Sequence, residues 1–183
     1  MNAASHLADE AWARCSFDAV ALAFLKAEWT KWRLDRYGDR SLIDQADLTD
    51  TAQNTARLRL LQVRDPLLQH VPPDTEWFEV RHLAARHFWQ LRNIHHIDWS
   101  AHSSTNELLE MAVTRPDPLR GAPGGWEPIL WAHGRGGPFT ILEGNHRLTA
   151  LAGALPDHQD YHMVAYAGVS TQPCGWHRLD GLW

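Results

Sequence analysis

Five consecutive residues in the last third of the chain could carry chemistry: Glu143, Gly144, Asn145, His146 and Arg147. Arginine presents a planar fork of donors that suits carboxylate and phosphate groups. A carboxylate beside an anion site is repulsive unless it holds a metal ion or accepts a proton from a reacting group. The run therefore predicts a phosphate site with Glu143 as a metal ligand or general base.

The segments on either side of this run predict how it is placed. Residues 139–143 (FTILE) have the apolar, β-branched composition of a strand, and residues 145–155 have the composition of a helix. Gly144 then lies at the junction, where a residue without Cβ allows a sharp turn. Amide groups of a first helical turn lack an intrahelical acceptor, and the helix dipole favours negative charge there. We expect three residues of that turn to bind phosphates: Asn145, His146 and Arg147.

The same run also has an interpretation without any ligand. Asn145 could cap the helix, His146 could lie at the surface, and Glu143 could form a salt bridge with Arg147. The residue types alone leave both interpretations open.

A second polar cluster lies in the segment HHIDWSAH, which supplies His95, His96, Asp98 and His102. Transition metals accept these residue types, but the spacing matches no zinc signature, so a polar loop is the alternative. If the segment lines a cleft opposite Gly144, His96 and Asp98 are predicted to contact the acceptor or act as a base.

Two neighbouring residues are predicted to bind the substrate. Arg92 would hold a carboxylate or phosphate group, and His95 would contact the same molecule.

The composition limits the class of protein. The chain has 183 residues, of which 44% are hydrophobic and 21% charged, and its formal net charge is -5. These values are typical of one soluble globular domain with an extra segment. No apolar run approaches the roughly eighteen residues that a membrane-spanning helix needs. The acidic balance argues against direct DNA binding.

The cysteines and the amino terminus predict a cytoplasmic protein. Cys15 and Cys174 are too few and too far apart for a disulfide framework. Asp9 and Glu10 stand where an export signal carries positive charge. Cys174 and His177 would form at most half of a zinc site, and a packed tail is the favoured interpretation.

The first 73 residues are predicted to be a helical segment. Apolar residues recur at three- and four-residue steps from Ser16, a candidate N-cap, to about Tyr37. A second helix is expected from Thr49 or Asp50 to Asp65, because Pro66 disfavours helix before it. The pair of prolines at 72–73 places a boundary there.

Residues 74–183 are predicted to form an α+β domain. Strand-like segments begin at Thr75, Glu127, Phe139 and Asp160, and should join one sheet. Residues 84–91 are predicted to be helical, and a short helix is expected from Ser104 or Thr105 before a surface loop at 114–125. Residues 134–138 (GRGGP) predict a turn between two strands.

The strand, glycine turn and helix resemble the ParB/sulfiredoxin superfamily, whose central motif runs strand, G-x-[HR]-R, helix. The matching residues are Gly144, Asn145, His146, Arg147 and Ala150, and the resemblance extends over roughly residues 75–169. It implies a small mixed sheet with packed helices, here with the helical N-terminal segment added. It also implies that the loop binds nucleotide phosphates.

Within that superfamily the chain is most similar to the free-serine kinases, which place an acidic residue just before G-x-H-R, as Glu143 stands here. Sulfiredoxins carry a catalytic cysteine where this chain has Asn145, and partition ParB proteins continue into a helix-turn-helix. The resemblance implies a kinase that acts on a small molecule with a nucleoside di- or triphosphate (ATP, ADP or CTP) and Mg²⁺.

Two alternatives come from other classes of protein. The loop could bind nucleotide without turnover, as a switch or a nucleic-acid-associated module, with Trp29 and Trp32 on a surface for a partner or for a homodimer. Alternatively, PFTILEGNHR is similar to the Fic loop H-P-F-x-[DE]-G-N-G-R, which transfers AMP, although the spacing differs by two residues.

Overall fold

A computed structural model of the chain describes residues 7, 11–29, 36–63, 71–84, 87, 91–93, 127–145, 148 and 162–174. Its strands are β1 (Trp12–Cys15), β2 (Glu76–Ala84), β3 (Leu91–Asn93), β4 (Ile129–Ala132), β5 (Phe139–Glu143) and β6 (His162–Val169). They form one six-stranded sheet in the order β1-β2-β6-β4-β5-β3.

The sheet is mixed. Strand β2 pairs antiparallel with β1 and β6, and β4 pairs antiparallel with β5. Two pairs are parallel, β4 with β6 and β3 with β5. A mixed sheet accompanied by a few helices confirms the prediction of a small α+β fold. The four predicted strand segments all lie in this one sheet.

Three helices precede β2 in the chain: α1 (Phe17–Glu28), α2 (Ser41–Asp44) and α3 (Thr51–Val63). Ser16 caps α1 as predicted, because its Oγ accepts a bond of 3.3 Å from the Ala19 amide. The Asp50 carboxylate accepts bonds of 2.8 and 3.2 Å from the amides of Ala52 and Gln53. Both caps satisfy amides that have no intrahelical acceptor.

Buried apolar residues form two clusters, one on each face of the sheet, as the period of two along a strand requires. We call the cluster that includes the helices the helix-side core: Val20, Ala21, Phe24, Leu25, Trp29, Ile43, Leu60, Leu61, Trp77, Ile129, Trp131, Leu142 and Cys174. The second core contains Leu7, Val80, Leu83, Leu130, Ala132, Phe139, Ile141, Leu148, Met163, Ala165 and Ala167.

The structure differs from the sequence predictions in the N-terminal segment. Residues 1–73 are not helical throughout, because β1 belongs to the sheet. Helix α1 ends at Glu28, and Tyr37 lies in a turn. Trp29 is only 5% exposed within the helix-side core, so it cannot serve as the partner surface suggested for it. Trp32 lies outside the described residues.

The two ends of the helix predicted over residues 84–91 lie in strands, and residues 85–86 and 88–90 lie outside the described residues. Ala84 ends β2, and Leu91 begins β3, which pairs with β5 through Leu91–Phe139 and Asn93–Ile141. The aromatic and histidine content of this stretch obscures its period, and pairing with a buried neighbour decides the structure. The helix expected from Ser104 and the loop at 114–125 lie outside the described residues.

Among the described helices, none combines the length and the apolar character needed to cross a membrane.

Arg57 is fully buried and holds the turn between α2 and α3. One guanidinium nitrogen donates to the Leu42 carbonyl at 3.0 Å and to Gln53 Oε1 at 3.1 Å. The other donates to the Asp47 carbonyl at 2.9 Å and to Asn54 Oδ1. A single side chain thus satisfies two backbone carbonyls of the connecting segment and fixes it against α3.

Replacement of this side chain should strongly destabilise the fold. We expect Arg57→Ala to cost about 1–3 kcal/mol for each buried polar group that loses its partner. Arg59→Ala is the matched control, because Arg59 is exposed on the same helix and should change stability by about 0.5 kcal/mol or less. Urea unfolding of both variants measures the difference, and equal free energies of unfolding would contradict this role of Arg57.

Candidate functional site

The predicted junction of strand, glycine and helix is present. Strand β5 ends at Glu143, and the Leu148 amide donates to the Gly144 carbonyl at 2.9 Å, a bond typical of a first helical turn that begins at Asn145. Gly144 has φ of 102°, a conformation that residues with a Cβ rarely adopt. The chain therefore needs glycine at this point to leave the sheet and enter the turn.

The Asn145 side chain folds back onto the end of β5. Its Nδ2 donates to the Ile141 carbonyl at 3.0 Å, and the residue is only 8% exposed. Because that carbonyl can only accept, the orientation of the Asn145 amide is determined by the bond. The Oδ1 atom is also buried, and it has no hydrogen-bond partner in the described part of the chain.

This arrangement corrects one detail of the predicted phosphate site. A carboxamide oxygen and a phosphate oxygen are both acceptors, so Asn145 Oδ1 cannot bind phosphate directly. An unsatisfied buried acceptor costs about 1–3 kcal/mol, which makes Oδ1 a place for a donor or a cation. The backbone amide of Asn145 keeps the role expected of a helix start.

The carboxyl ends of two parallel strands meet at the edge where Glu143 lies. Asn93, the last residue of β3, pairs with Ile141, two residues before the end of β5. The chain thus leaves β3 beside the strand end that carries the junction. Ligand sites in open sheets commonly lie outside the carboxyl ends of strands.

Several predicted site residues lie outside the described residues: His95, His96, Asp98, His102, His146, Arg147 and His177. The backbone of Arg92 is described, and it pairs with Thr140 of β5 in the parallel ladder. Of the predicted phosphate and metal site, the structure brings together Glu143, Gly144 and Asn145.

The Fic-like alternative needs a loop between helices in front of Glu143. The structure has strand β5 there, with Phe139, Thr140, Ile141 and Leu142 all buried. This strand contradicts the Fic-like alternative.

Two polar residues that the sequence did not reveal, Tyr166 and Glu79, lie across the sheet at the level of Glu143, with the apolar Ile129 between them and Glu143. Ile129 pairs with both Glu143 and Tyr166, and Tyr166 pairs in turn with Glu79 of β2. Adjacent strands are about 4.8 Å apart, so Tyr166 lies about 10 Å from Glu143 across the sheet. Glu127 precedes β4 at the same edge.

Tyr166 and two ionisable groups near it, Cys15 and Glu127, hold their protons more tightly than usual. Burial raises the pKa of Tyr166 to about 12, with the charges of Glu127, Cys15 and Glu79 adding to the effect. Burial, together with Glu79, raises the pKa of the Cys15 thiol to about 11. Burial also raises the pKa of the Glu127 carboxyl, against the opposing charge of Lys26.

The raised pKa of Glu127 has a consequence for stability. The folded state binds this proton more tightly than the unfolded chain, so the contribution of Glu127 to stability falls as the pH rises above the ordinary glutamate pKa of 4.5. Nothing in the sequence indicated this cluster. Strand register is needed to bring its members together.

The described residues include no group of three or more His, Cys, Asp or Glu side chains able to hold a metal ion. Mg²⁺ does not need such a group, because it keeps several waters and binds through one or two protein oxygens and the phosphates of a substrate. The Glu143 carboxylate and Asn145 Oδ1 are oxygen donors of the type that Mg²⁺ prefers.

The pKa of Cys15 predicts slow alkylation at neutral pH. The thiolate is the reactive form, so a pKa of about 11 instead of 9.0 lowers its reactive fraction about 100-fold near pH 8. We expect iodoacetamide to modify Cys15 at a rate that rises steeply towards pH 11, and Glu79→Gln to increase that rate. Mass spectrometry of the Cys15 peptide measures it. Alkylation near pH 8 at the rate of an exposed thiol would contradict the prediction.

The conformation of Gly144 predicts that even a methyl group is costly there. Gly144→Ala should lose on the order of 1–3 kcal/mol of stability, the cost of a residue with a Cβ at such a φ. Gly134→Ala is the control, because a Cβ at Gly134 meets no atom within 4 Å. Thermal unfolding compares the two variants. Equal melting temperatures would show that the turn at Gly144 does not need glycine.

The chain matches no family model, no characterised protein and no solved structure. The resemblance to the ParB/sulfiredoxin superfamily therefore rests on the motif at 144–147 and remains a prediction.

Proposed function

We propose that the chain is a nucleotide-dependent phosphotransferase that phosphorylates a small-molecule acceptor. The observation that carries the proposal is the junction at the end of β5. There a carboxylate, a glycine with φ of 102° and the first turn of a helix follow one another directly. This order supplies a candidate base or metal ligand beside backbone amides that suit phosphate.

The topology supports a ParB/sulfiredoxin-like version of this function. The motif strand β5 lies inside a small mixed sheet, between antiparallel β4 and parallel β3. The turn after β5 and the chain that follows β3 begin at the same edge. An acceptor bound there would meet Glu143 from one strand and the segment after Asn93 from the other.

Phosphoryl transfer requires mainly positioning and neutralisation of charge. In the proposed mechanism, His146 and Arg147 bind the phosphates, and Arg92 and His95 hold the acceptor. Glu143 accepts the proton of the attacking hydroxyl, with His96 and Asp98 orienting that group. Mg²⁺, when bound, would neutralise charge on the transferred phosphate, and the oxygens of Glu143 and Asn145 are the described groups that fit it.

The second candidate function is a nucleotide-binding switch without turnover. It is favoured by two exposed apolar side chains in the N-terminal segment, Tyr37 at 62% and Leu48 at 41% exposure. A partner protein that recognised the nucleotide-bound form could dock there. The same loop at 144–147 would bind nucleotide in both cases, so turnover discriminates between the two functions.

Replacement of Glu143 separates chemistry from binding. Glu143→Gln keeps the shape of the side chain but removes its basicity and charge. Without a divalent cation, nucleotide should therefore bind as well or more tightly, while turnover in the presence of Mg²⁺ falls about 100- to 10,000-fold. Arg147→Ala is the contrasting variant, and should weaken nucleotide binding by about 1.5–3 kcal/mol. Calorimetry with ATP, ADP and CTP, with and without Mg²⁺, together with an assay of phosphate transfer, measures both effects.

Each outcome of this experiment decides between functions. Full turnover by a well-folded Glu143→Gln would defeat the catalytic role of Glu143. Nucleotide binding without any turnover in the native protein would favour the switch. Unchanged affinity in Arg147→Ala would remove the phosphate site itself.

A further inference from the structure

Asn145 Oδ1 is a buried acceptor whose direction is set by another bond. The same amide donates through Nδ2 to the Ile141 carbonyl at 3.0 Å, which holds the side chain against the end of β5. Rotation of the amide by 180° would place its oxygen against that carbonyl oxygen, so the native orientation is strongly preferred. The residue is more than nine-tenths buried, and Oδ1 has no hydrogen-bond partner within the described residues.

The chemistry of the neighbouring residue indicates what Oδ1 binds. Glu143 precedes Asn145 by two residues, and the turn at Gly144 connects them. A carboxylate and a carboxamide oxygen are both acceptors, so neither can satisfy the other. A hard divalent cation is attracted by both, and takes such oxygens together with water and phosphate oxygens.

We propose that Asn145 Oδ1 is a ligand of the divalent cation that accompanies the nucleotide, with the Glu143 carboxylate as the second protein ligand. The role of the nucleotide rests on the proposed function, whereas cation binding by these two residues can be tested without it. Asn145 then has two tasks: Nδ2 fixes the turn to β5, and Oδ1 holds the metal at that turn.

The two tasks can be separated with two substitutions at the same position. Asn145→Ala removes both the bond to Ile141 and the metal ligand. Asn145→Asp keeps an oxygen for the metal and adds charge, but it replaces the donor with a second acceptor facing the Ile141 carbonyl. We therefore expect both variants to be less stable than the native protein. Only Asn145→Ala should bind the metal more weakly.

Mn²⁺ alone is the probe, because its bound and free forms are distinguished by electron paramagnetic resonance. Asn145→Ala should weaken Mn²⁺ binding at least about 10- to 100-fold, because loss of outer-shell residues already costs that much and Asn145 is proposed as a direct ligand. Asn145→Asp should bind Mn²⁺ at least as tightly as the native protein. Thermal unfolding without metal records the structural cost of each change separately.

Asn54 provides a matched control. It is also an asparagine whose Nδ2 donates to a backbone carbonyl, that of Leu48 at 2.8 Å, but it lies on α3. Asn54→Ala should lose stability with no effect on Mn²⁺ affinity. The comparison separates a general loss of stability from the loss of a metal ligand.

Two results would overturn the inference. The first is the absence of Mn²⁺ binding by the folded native protein. The second is an equal affinity for Mn²⁺ in Asn145→Ala and Asn54→Ala, which is the result expected if a buried water, and no cation, occupies the site. The proposed function fails separately. If Mn²⁺ binding depends on Asn145 but no nucleotide binds, the metal site stands without the phosphotransferase. If nucleotide binds and turns over while Asn145→Ala keeps the native affinity for Mn²⁺, the phosphotransferase stands without this metal site.

Discussion

Burial of the central strands on both faces is the constraint that determines where this chain can place polar chemistry. All four residues of β4 and the first four of β5 are buried, with the helix-side core on one face and the second core on the other. A charged group in the middle of these strands would lose its hydration without a partner. Functional side chains must therefore stand where a strand leaves the sheet, and Glu143, the last residue of β5, is less buried than the four before it.

The transition out of β5 depends on two local features that act together. Gly144 supplies a backbone conformation that turns the chain out of the sheet. The side-chain amide of Asn145 donates a hydrogen bond to the Ile141 carbonyl at the end of the strand. The hydrogen bond restricts the turn to one geometry and fixes the direction of Asn145 Oδ1 at the same time. Such support of a site by neighbouring hydrogen bonds reduces the ordering that a ligand must bring about when it binds.

The sequence predicted the parts of the fold that local composition determines. The strands at 76–84, 129–132, 139–143 and 162–169 carry apolar and β-branched runs between turns, and all were expected. Strand β3 was missed because three residues, LRN, have no period, and its pairing with buried β5 decides their structure. Strand β1 was missed because its four residues are also too few to show a period, and its pairing with β2 decides their structure. The motif predicted Gly144 and its turn, whereas the unsatisfied Oδ1 of Asn145 depends on side-chain geometry that no spacing reveals.

Carboxylates, and not the other acidic groups nearby, set the charge that an anion meets at the candidate site. Tyr166 and Cys15, with pKa values of about 12 and 11, are uncharged at neutral pH, as they would be with their ordinary pKa values. Of the carboxylates, Glu79 is paired with Arg81 at 2.7 Å. Glu143 directly precedes the turn at Gly144, so its negative charge repels a phosphate group at the end of β5 unless a proton or a cation neutralises it.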